Sequence, residues 1–254
     1  MPAQYHPEYY KYKDQIETFF TNFSNSGKNF VIGQRNSIKL FNIDGIDVSI
    51  KSFKKPNLIN KIVYRYFRKS KARRSFEFAT KLMDLGIGTP QPVAFFENYD
   101  IIGLKDSYYA CVHLENVFEF REIVQNKNFE NRDEILRQFT KFTFDMHQKG
   151  VEFLDHSPGN TLIKDNNDGT YSFYLVDLNR MKFHESIDFQ TRMNNLSHLT
   201  PQKEMIAIMS NMYAQLLGVN ESLVFETMWK MTESFQFRYH RKKRIKKKLK
   251  FWKK

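Results

Sequence analysis

One cysteine, Cys111, among 254 residues excludes an internal disulfide and fits a reducing cytosol. Its apolar surroundings, YYACVHL, mark it as a packing residue rather than a nucleophile. No run approaches the roughly 18 apolar residues that a membrane span needs. The opening MPAQYHPEYYKYKD has no apolar segment, so no secretory signal is expected. No internal repeat is visible, and no parallel βαβ series, which argues against a doubly wound sheet. Acids are missing from Arg238–Lys254, a stretch with eleven of the Lys and Arg residues. The net charge is +12, so the rest of the chain is near +1 and the basicity is a local device.

What is present is aromatic: 16% of the residues, with 25 Phe. Residues 1–28 read as a polar, aromatic lead-in with a short helix around Asp14–Phe23. KNFVI, SIKLFNI and IDVSIKSF alternate apolar and polar residues and are separated by GQRN and by Asp44-Gly45. A two-residue Asp-Gly link is a strong hairpin signal, so a three-stranded antiparallel meander is expected from about 29 to 53. After Pro56, Leu58, Ile59, Ile62, Val63, Tyr66 and Phe67 form a helical stripe among basic residues, expected either to cover the lobe or to add a basic surface contact. A second helix is expected over about Arg73–Leu85, stopped by Gly86, then strands in TPQPVAFFE and SYYACVHL. Asn131–Lys149 reads as a helix with Ile135, Leu136, Phe139, Phe142 and Met146 on one face. TLIK and YSFYLVD form a hairpin across DNNDGT, and the remainder reads as helical. Within it, Thr200-Pro201 is expected to start a Met-rich core helix, and Glu221–Phe237 a last helix leading into the tail. The fold class is therefore α+β. A β-rich first lobe spans residues 29–114, a mainly helical second lobe 115–237 and a basic tail 238–254.

FLDHSPGNTL places Asp155 five residues before Asn160, with Pro158-Gly159 allowing a sharp turn between them. Phosphoryl transfer needs an acid that orients the attacking hydroxyl and an amide and a carboxylate that hold a cation. It also needs a lysine on the phosphates. The Asp155–Asn160 spacing is that of a kinase catalytic loop, although alone it reads equally as a turn with capping side chains. The hairpin from Asn160 returns through YLVD to Asp177, so its two ends are expected to lie side by side and share a metal. Upstream, VSIK puts Lys51 on a strand, and Glu77 follows in a helix. Lys51, Glu77, Asp155, Asn160 and Asp177 stand in kinase order.

The segments FLDHSPGNTLIK and YLVDLNRMKF, with GQRNSIKLF, VSIKSFKKPNLINK and RRSFEFATKLMDLGIGTPQPVA, resemble the lipopolysaccharide kinase family, which includes Kdo and core-heptose kinases. The resemblance covers about residues 29–185. It implies a bilobal protein-kinase-like fold, ATP with Mg²⁺, and a sugar hydroxyl of the lipid A–core region as acceptor. Carried over by position, Asp155 is the base, Asn160 and Asp177 hold the metal, Lys51 contacts the phosphates and Glu77 pairs with Lys51. Gly33, Gln34, Arg35, Asn36 and Ser37 form the turn over the phosphates; an ordinary β-turn is the alternative there, because the stretch has one glycine. Two departures stand out: Phe153 where kinases commonly have histidine, and Leu178-Asn179 where Phe-Gly is usual.

Three readings compete for the tail: a solvated extension, a nucleic-acid contact, and an anchor on an anionic membrane. The anchor is the favoured expectation, with Ile245, Leu249, Phe251 and Trp252 dipping into the interface. It suits an enzyme at the inner face of the cytoplasmic membrane whose substrate is a lipid-linked saccharide, and no nucleic-acid partner is expected. The alternatives to a kinase are a binding module that keeps the fold without turnover and, ranked below it, a basic nucleic-acid-associated protein.

Overall fold

The structure, a computed structural model, describes residues 3–32 and 36–251. The chain divides into two compact units, Met1–Asn116 with Tyr174–Arg180, and Val117–Phe173 with Met181–Lys254.

In the first unit, β1 (Ala3–Tyr5), β2 (Lys28–Ile32), β3 (Asn36–Ile43), β4 (Ile46–Phe53), β5 (Pro92–Tyr99) and β6 (Leu104–Val112) build one sheet in the order β1-β5-β6-β4-β3-β2. The neighbouring strands run antiparallel. The meander is β2–β3–β4, and Asp44 and Gly45 take φ of 50° and 85° at its second turn. Positive φ at both central residues matches the twist of the flanking strands and is why Asp-Gly is suited to the link. The first 28 residues do not form a separate lead-in. β1 pairs with β5, and α1 (Lys13–Thr21) buries Ile16 and Phe20 against Phe41, Ile43, Val48, Ile50 and Val93. The abundant Phe thus fills a core that a small sheet alone would leave open on one side.

α2 (Leu58–Tyr66) starts at Asn57, whose side chain accepts from the Asn60 amide at 3.0 Å. None of its residues is fully buried, and the apolar stripe does not cover the lobe. α3 (Lys71–Asp84) does: Ala72, Phe76, Ala79 and Leu82 are buried, and Ser70 caps its start by accepting from the Arg73 amide at 3.1 Å. Gly86, at φ 63°, closes its end. Segment Tyr174–Arg180 belongs with this unit, because the Leu175 amide donates to the Gly88 carbonyl and the Thr89 hydroxyl to the Leu175 carbonyl, each at 2.9 Å.

The second unit contains β7 (Val117–Glu119), α4 (Phe120–Gln125), α5 (Arg132–Gln148), β8 (Val151–Phe153), β9 (Thr161–Asp165), most of β10 (Tyr171–Leu175), β11 (Met181–Phe183), α6 (Phe189–Leu196), α7 (Lys203–Leu217) and α8 (Glu221–Phe251). Two small sheets, β10-β9-β7 and β11-β8, accompany the helices. Their core gathers Phe120, Ile135, Phe139, Met193, Met205, Met209 and Tyr213. The Met-rich helix is a core helix as expected, but it begins at Lys203 with Gln202 as its cap, not at Thr200-Pro201. The Thr200 hydroxyl accepts from the Gln202 amide at 3.1 Å, a local turn that holds the entry. Met181–Phe183, read as helical, is instead a strand paired with β8, because Phe183 and Met181 alternate against Val151 and Phe153. α8 continues without a break into the basic tail.

Candidate functional site

β8 delivers the chain to the loop at Phe153, a fully buried residue opposite Met181 of β11. The His156 amide donates back to the Phe153 carbonyl at 3.1 Å, and the Asn160 amide to the Ser157 carbonyl at 2.9 Å, so two consecutive turns shape residues 153–160. The Asn160 side-chain nitrogen donates to the Asp155 main-chain carbonyl at 2.8 Å. A carbonyl only accepts, which fixes the amide's orientation and makes Oδ1 the end available to a cation. One side chain thereby ties the acid's backbone to the amide five residues on.

The loop is held from within the unit by Asn195 of α6, which no sequence pattern singles out. Its Nδ2 donates to the Phe153 carbonyl at 2.7 Å, and its Oδ1 accepts from His147 Nε2 at 3.0 Å and His156 Nδ1 at 3.2 Å. With Oδ1 as acceptor, both rings donate through those nitrogens, and His147 Nδ1 accepts from the Tyr213 hydroxyl at 2.8 Å. Burial disfavours charge on both imidazoles and lowers their pKa values, to about 4 for His147 and about 3 for His156. Phe153, the departure from the usual kinase histidine, packs its ring 5.8 Å from that of His156. Its carbonyl carries the anchoring bond, which any residue at that position supplies.

In the first unit, Lys51 lies on β4 between β3 and β6, opposite Ile38 and Tyr109. Its Nζ is 2.9 Å from Asp177 Oδ1. Asp177 adopts φ 60°, a left-handed conformation that costs energy for a residue with a Cβ and recurs where a side chain is aimed for function. Asn179 steadies it: its side-chain nitrogen donates to Asp177 Oδ1 at 2.7 Å, and its amide to the Asp177 carbonyl at 2.9 Å. Arg74 of α3 in turn donates from Nη1 to the Asn179 carbonyl at 2.6 Å. Asn179, where a glycine was the usual expectation, thus locks the turn, and Leu178 beside it is buried. Asn179 stands out in the sequence only as a departure from Phe-Gly, and Arg74 has no signal beyond its type.

The expected Lys51–Glu77 pair is not formed. Glu77 accepts from Lys69 Nζ on both oxygens at 2.8 Å and from Arg73 Nε at 2.9 Å. Burial alone would raise its carboxyl pKa, but these hydrogen bonds prevail and hold it below the usual range. Two cations within one helical turn and a short loop outcompete a lysine on the sheet, and Lys51 takes Asp177 instead. Of the expected phosphate turn, Gly33, Gln34 and Arg35 lie outside the described residues. Asn36 and Ser37 are not in a turn: both are in β3, opposite Phe53 and Ser52, and Asn36 Oδ1 accepts from the Lys54 amide at 3.3 Å.

Taken separately, Asn160 Oδ1 in the second unit and the Asp177 carboxylate in the first are oxygen donors of the kind a hard cation such as Mg²⁺ takes. Both contacts to the Asp177 carboxylate fall on Oδ1, so its second oxygen is not drawn into the Lys51 and Asn179 bonds.

A search among curated proteins returned no match. Among solved structures, one described as WaaP in complex with acyl carrier protein superposes with a TM-score of 0.63 at 15% identity, covering 92% of this chain and 99% of that one. At that identity the likeness speaks for the fold, which is kinase-like: an antiparallel sheet in the N-terminal part and helices in the C-terminal part. Residues 54–219, more than half of the chain, match the lipopolysaccharide kinase (Kdo/WaaP) family. That stretch contains Glu77, the Asp155–Asn160 loop and Asp177, and on it rests the assignment that the chain belongs to the lipopolysaccharide kinase (Kdo/WaaP) family.

Proposed function

We propose that this kinase transfers the terminal phosphoryl group of ATP to a sugar hydroxyl, of Kdo or heptose, in the lipid A–core region of lipopolysaccharide. The observation that carries the reading is the Asn160–Asp155 hydrogen bond, which couples a candidate base to a candidate metal-binding amide within one turn. Family membership supports the use of ATP and the place in lipopolysaccharide synthesis.

In this reading Asp155 orients the acceptor hydroxyl and takes its proton as the bond to phosphorus forms. Asn160 Oδ1 and the Asp177 carboxylate would hold Mg²⁺, which would supply positive charge against the phosphate oxygens. Lys51 adds a second positive charge there. Glu77 is not needed as an ion-pair partner for Lys51, since Asp177 and Asn179 already fix the local geometry.

The basic end of α8 has Arg238, Arg241, Lys242, Lys243 and Arg244 exposed, and we assign it to an anionic membrane surface, at the inner face of the cytoplasmic membrane. No described helix is long and apolar enough to cross a membrane, so attachment of this kind would be peripheral.

The direct test of the chemistry is Asp155→Asn. The variant is expected to fold and bind Mg-ATP as the native chain does while its transfer rate falls by about 10³-fold or more. Near-native turnover by this variant would contradict the assignment of Asp155.

A further inference from the structure

α2 is an amphipathic helix turned inside out. Leu58, Ile62, Tyr66 and Ile59 share one face at helical spacing, and that face points to solvent, with Ile59 73% exposed and Tyr66 66%. Phe67, just beyond the helix, is 81% exposed, and Ile101, in the adjoining loop, 97%. The less exposed side carries Val63 and Tyr64 beside Lys61, and polar bonds fasten the helix. Lys61 forms an ion pair with Asp100, and Arg65 Nη1 donates to the carbonyls of Asp100 and Ile101 at 3.0 and 2.8 Å. Asp100 also accepts from the amides of Ile102 and Gly103, and the Lys61 hydrogen bond, then the Gly103 amide, hold its carboxyl down at about 2. Gly103 sits against the Lys61 carbonyl, where a Cβ would collide with backbone. The helix is thus fixed in this orientation by bonds that any rotation would break, and the apolar side is left outward by construction.

A contiguous exposed apolar patch of this kind marks an interaction surface. Its charge setting selects the partner. From Val48 to Phe76 there are ten Lys and Arg and no acid. Lys54, Lys55, Arg65, Arg68 and Lys69 are exposed along this segment, while the acids beside it are met by cations: Asp100 by Lys61, Glu77 by Lys69 and Arg73, and Asp106 by Lys105 and Lys55. Apolar and aromatic side chains ringed by lysine and arginine, on a short helix fastened by Lys61 and Arg65, match the interface of an anionic bilayer.

We propose that α2, with Phe67 and the Ile101–Ile102 loop, is a lipid-docking element that inserts its apolar side into the headgroup region of an anionic membrane. The choice of a lipid as occupant rests on the membrane-apposed reading given above. The docking itself is measured without ATP or acceptor, so a failure of the chemistry and a failure of the docking are told apart.

The test places a probe on the helix. Ile62→Cys in the full chain is labelled with an environment-sensitive fluorophore. The native thiol, Cys111, is half-buried, and although burial pushes its pKa up to about 12, the label is placed in a Cys111→Ser background so that one thiol is present. On vesicles of phosphatidylglycerol and phosphatidylethanolamine the emission should shift to the blue and be quenched by brominated acyl chains; phosphatidylcholine vesicles should give neither. In a second measurement, Ile59→Ser/Ile62→Ser/Phe67→Ser should lose about tenfold or more of the vesicle binding that persists at about 0.5 M salt, where tail electrostatics are screened. Because these side chains are exposed, its thermal melting should match the native chain. A label that stays in water on anionic vesicles would overturn the proposal, as would unchanged salt-resistant binding in the triple variant. So would shielding of the label that needs only protein concentration, which would assign the face to a second copy.

Discussion

At the scale of single residues, Asn195 does most to shape the loop. One amide satisfies a main-chain carbonyl and two ring N–H groups, all buried, and no local motif announces it. Its two histidine partners make stability depend on pH. Their folded pKa values, about 4 and about 3, lie below the ordinary 6.5, so between these limits the unfolded chain binds more protons than the folded one. The stabilisation is complete above pH 6.5 and is lost as pH falls toward 4, by roughly 1 kcal/mol per pH unit for each ring. The urea midpoint should therefore drop clearly between pH 7 and pH 5; a flat profile over that range would show that the rings titrate normally. Phe153, by contrast, changes little, since the anchoring bond uses its carbonyl and its ring only fills the core.

Among the elements, those with a periodic signal were readable and those held by distant partners were not. β2, β3, β4, α3 and α5 follow from alternation, an Asp-Gly link and a 3.6-residue stripe, all local properties. β1, β7 and β11 are three-residue strands that exist only because a partner strand passes them, which a linear reading does not show. The site divides the same way. Asp155, Asn160, Asp177 and Lys51, the proposed members of the site, are singled out by type and spacing alone. Glu77 was misassigned in its partner because Lys69, eight residues before it, and Arg73 approach it first. α2 shows the limit of pattern alone: a stripe predicts a face, and the Lys61 and Arg65 anchors decide which way that face points. The β9–β10 hairpin gives an element-level prediction. Its turn, with Asn167 and Gly169 at positive φ, is exposed. Two glycines added after Asp168 should cost activity less than threefold, whereas one residue inserted between Asn160 and Thr161 should abolish it by turning the amide away. Equal losses in the two steady-state assays would contradict a role for the hairpin's ends.

For the whole molecule, the charge is concentrated rather than spread. α8 passes from a partly buried helix into a run of exposed cations, and the remainder of the chain is close to neutral. Removing residues 238–254 should weaken binding to anionic liposomes by an order of magnitude or more at low salt, while turnover on a soluble acceptor is kept. Unchanged liposome binding, read by flotation, would reassign the tail to a solvated extension. The central claim, that a kinase-like chain of this family phosphorylates a lipopolysaccharide sugar, is tested most directly by incubating the protein with Mg-ATP and a panel of Kdo- and heptose-containing acceptors, read by mass spectrometry. The account predicts a gain of one phosphate on a single sugar hydroxyl, dependent on Asp155. No transfer to any acceptor by a folded chain that binds Mg-ATP would contradict it and leave a binding module in its place.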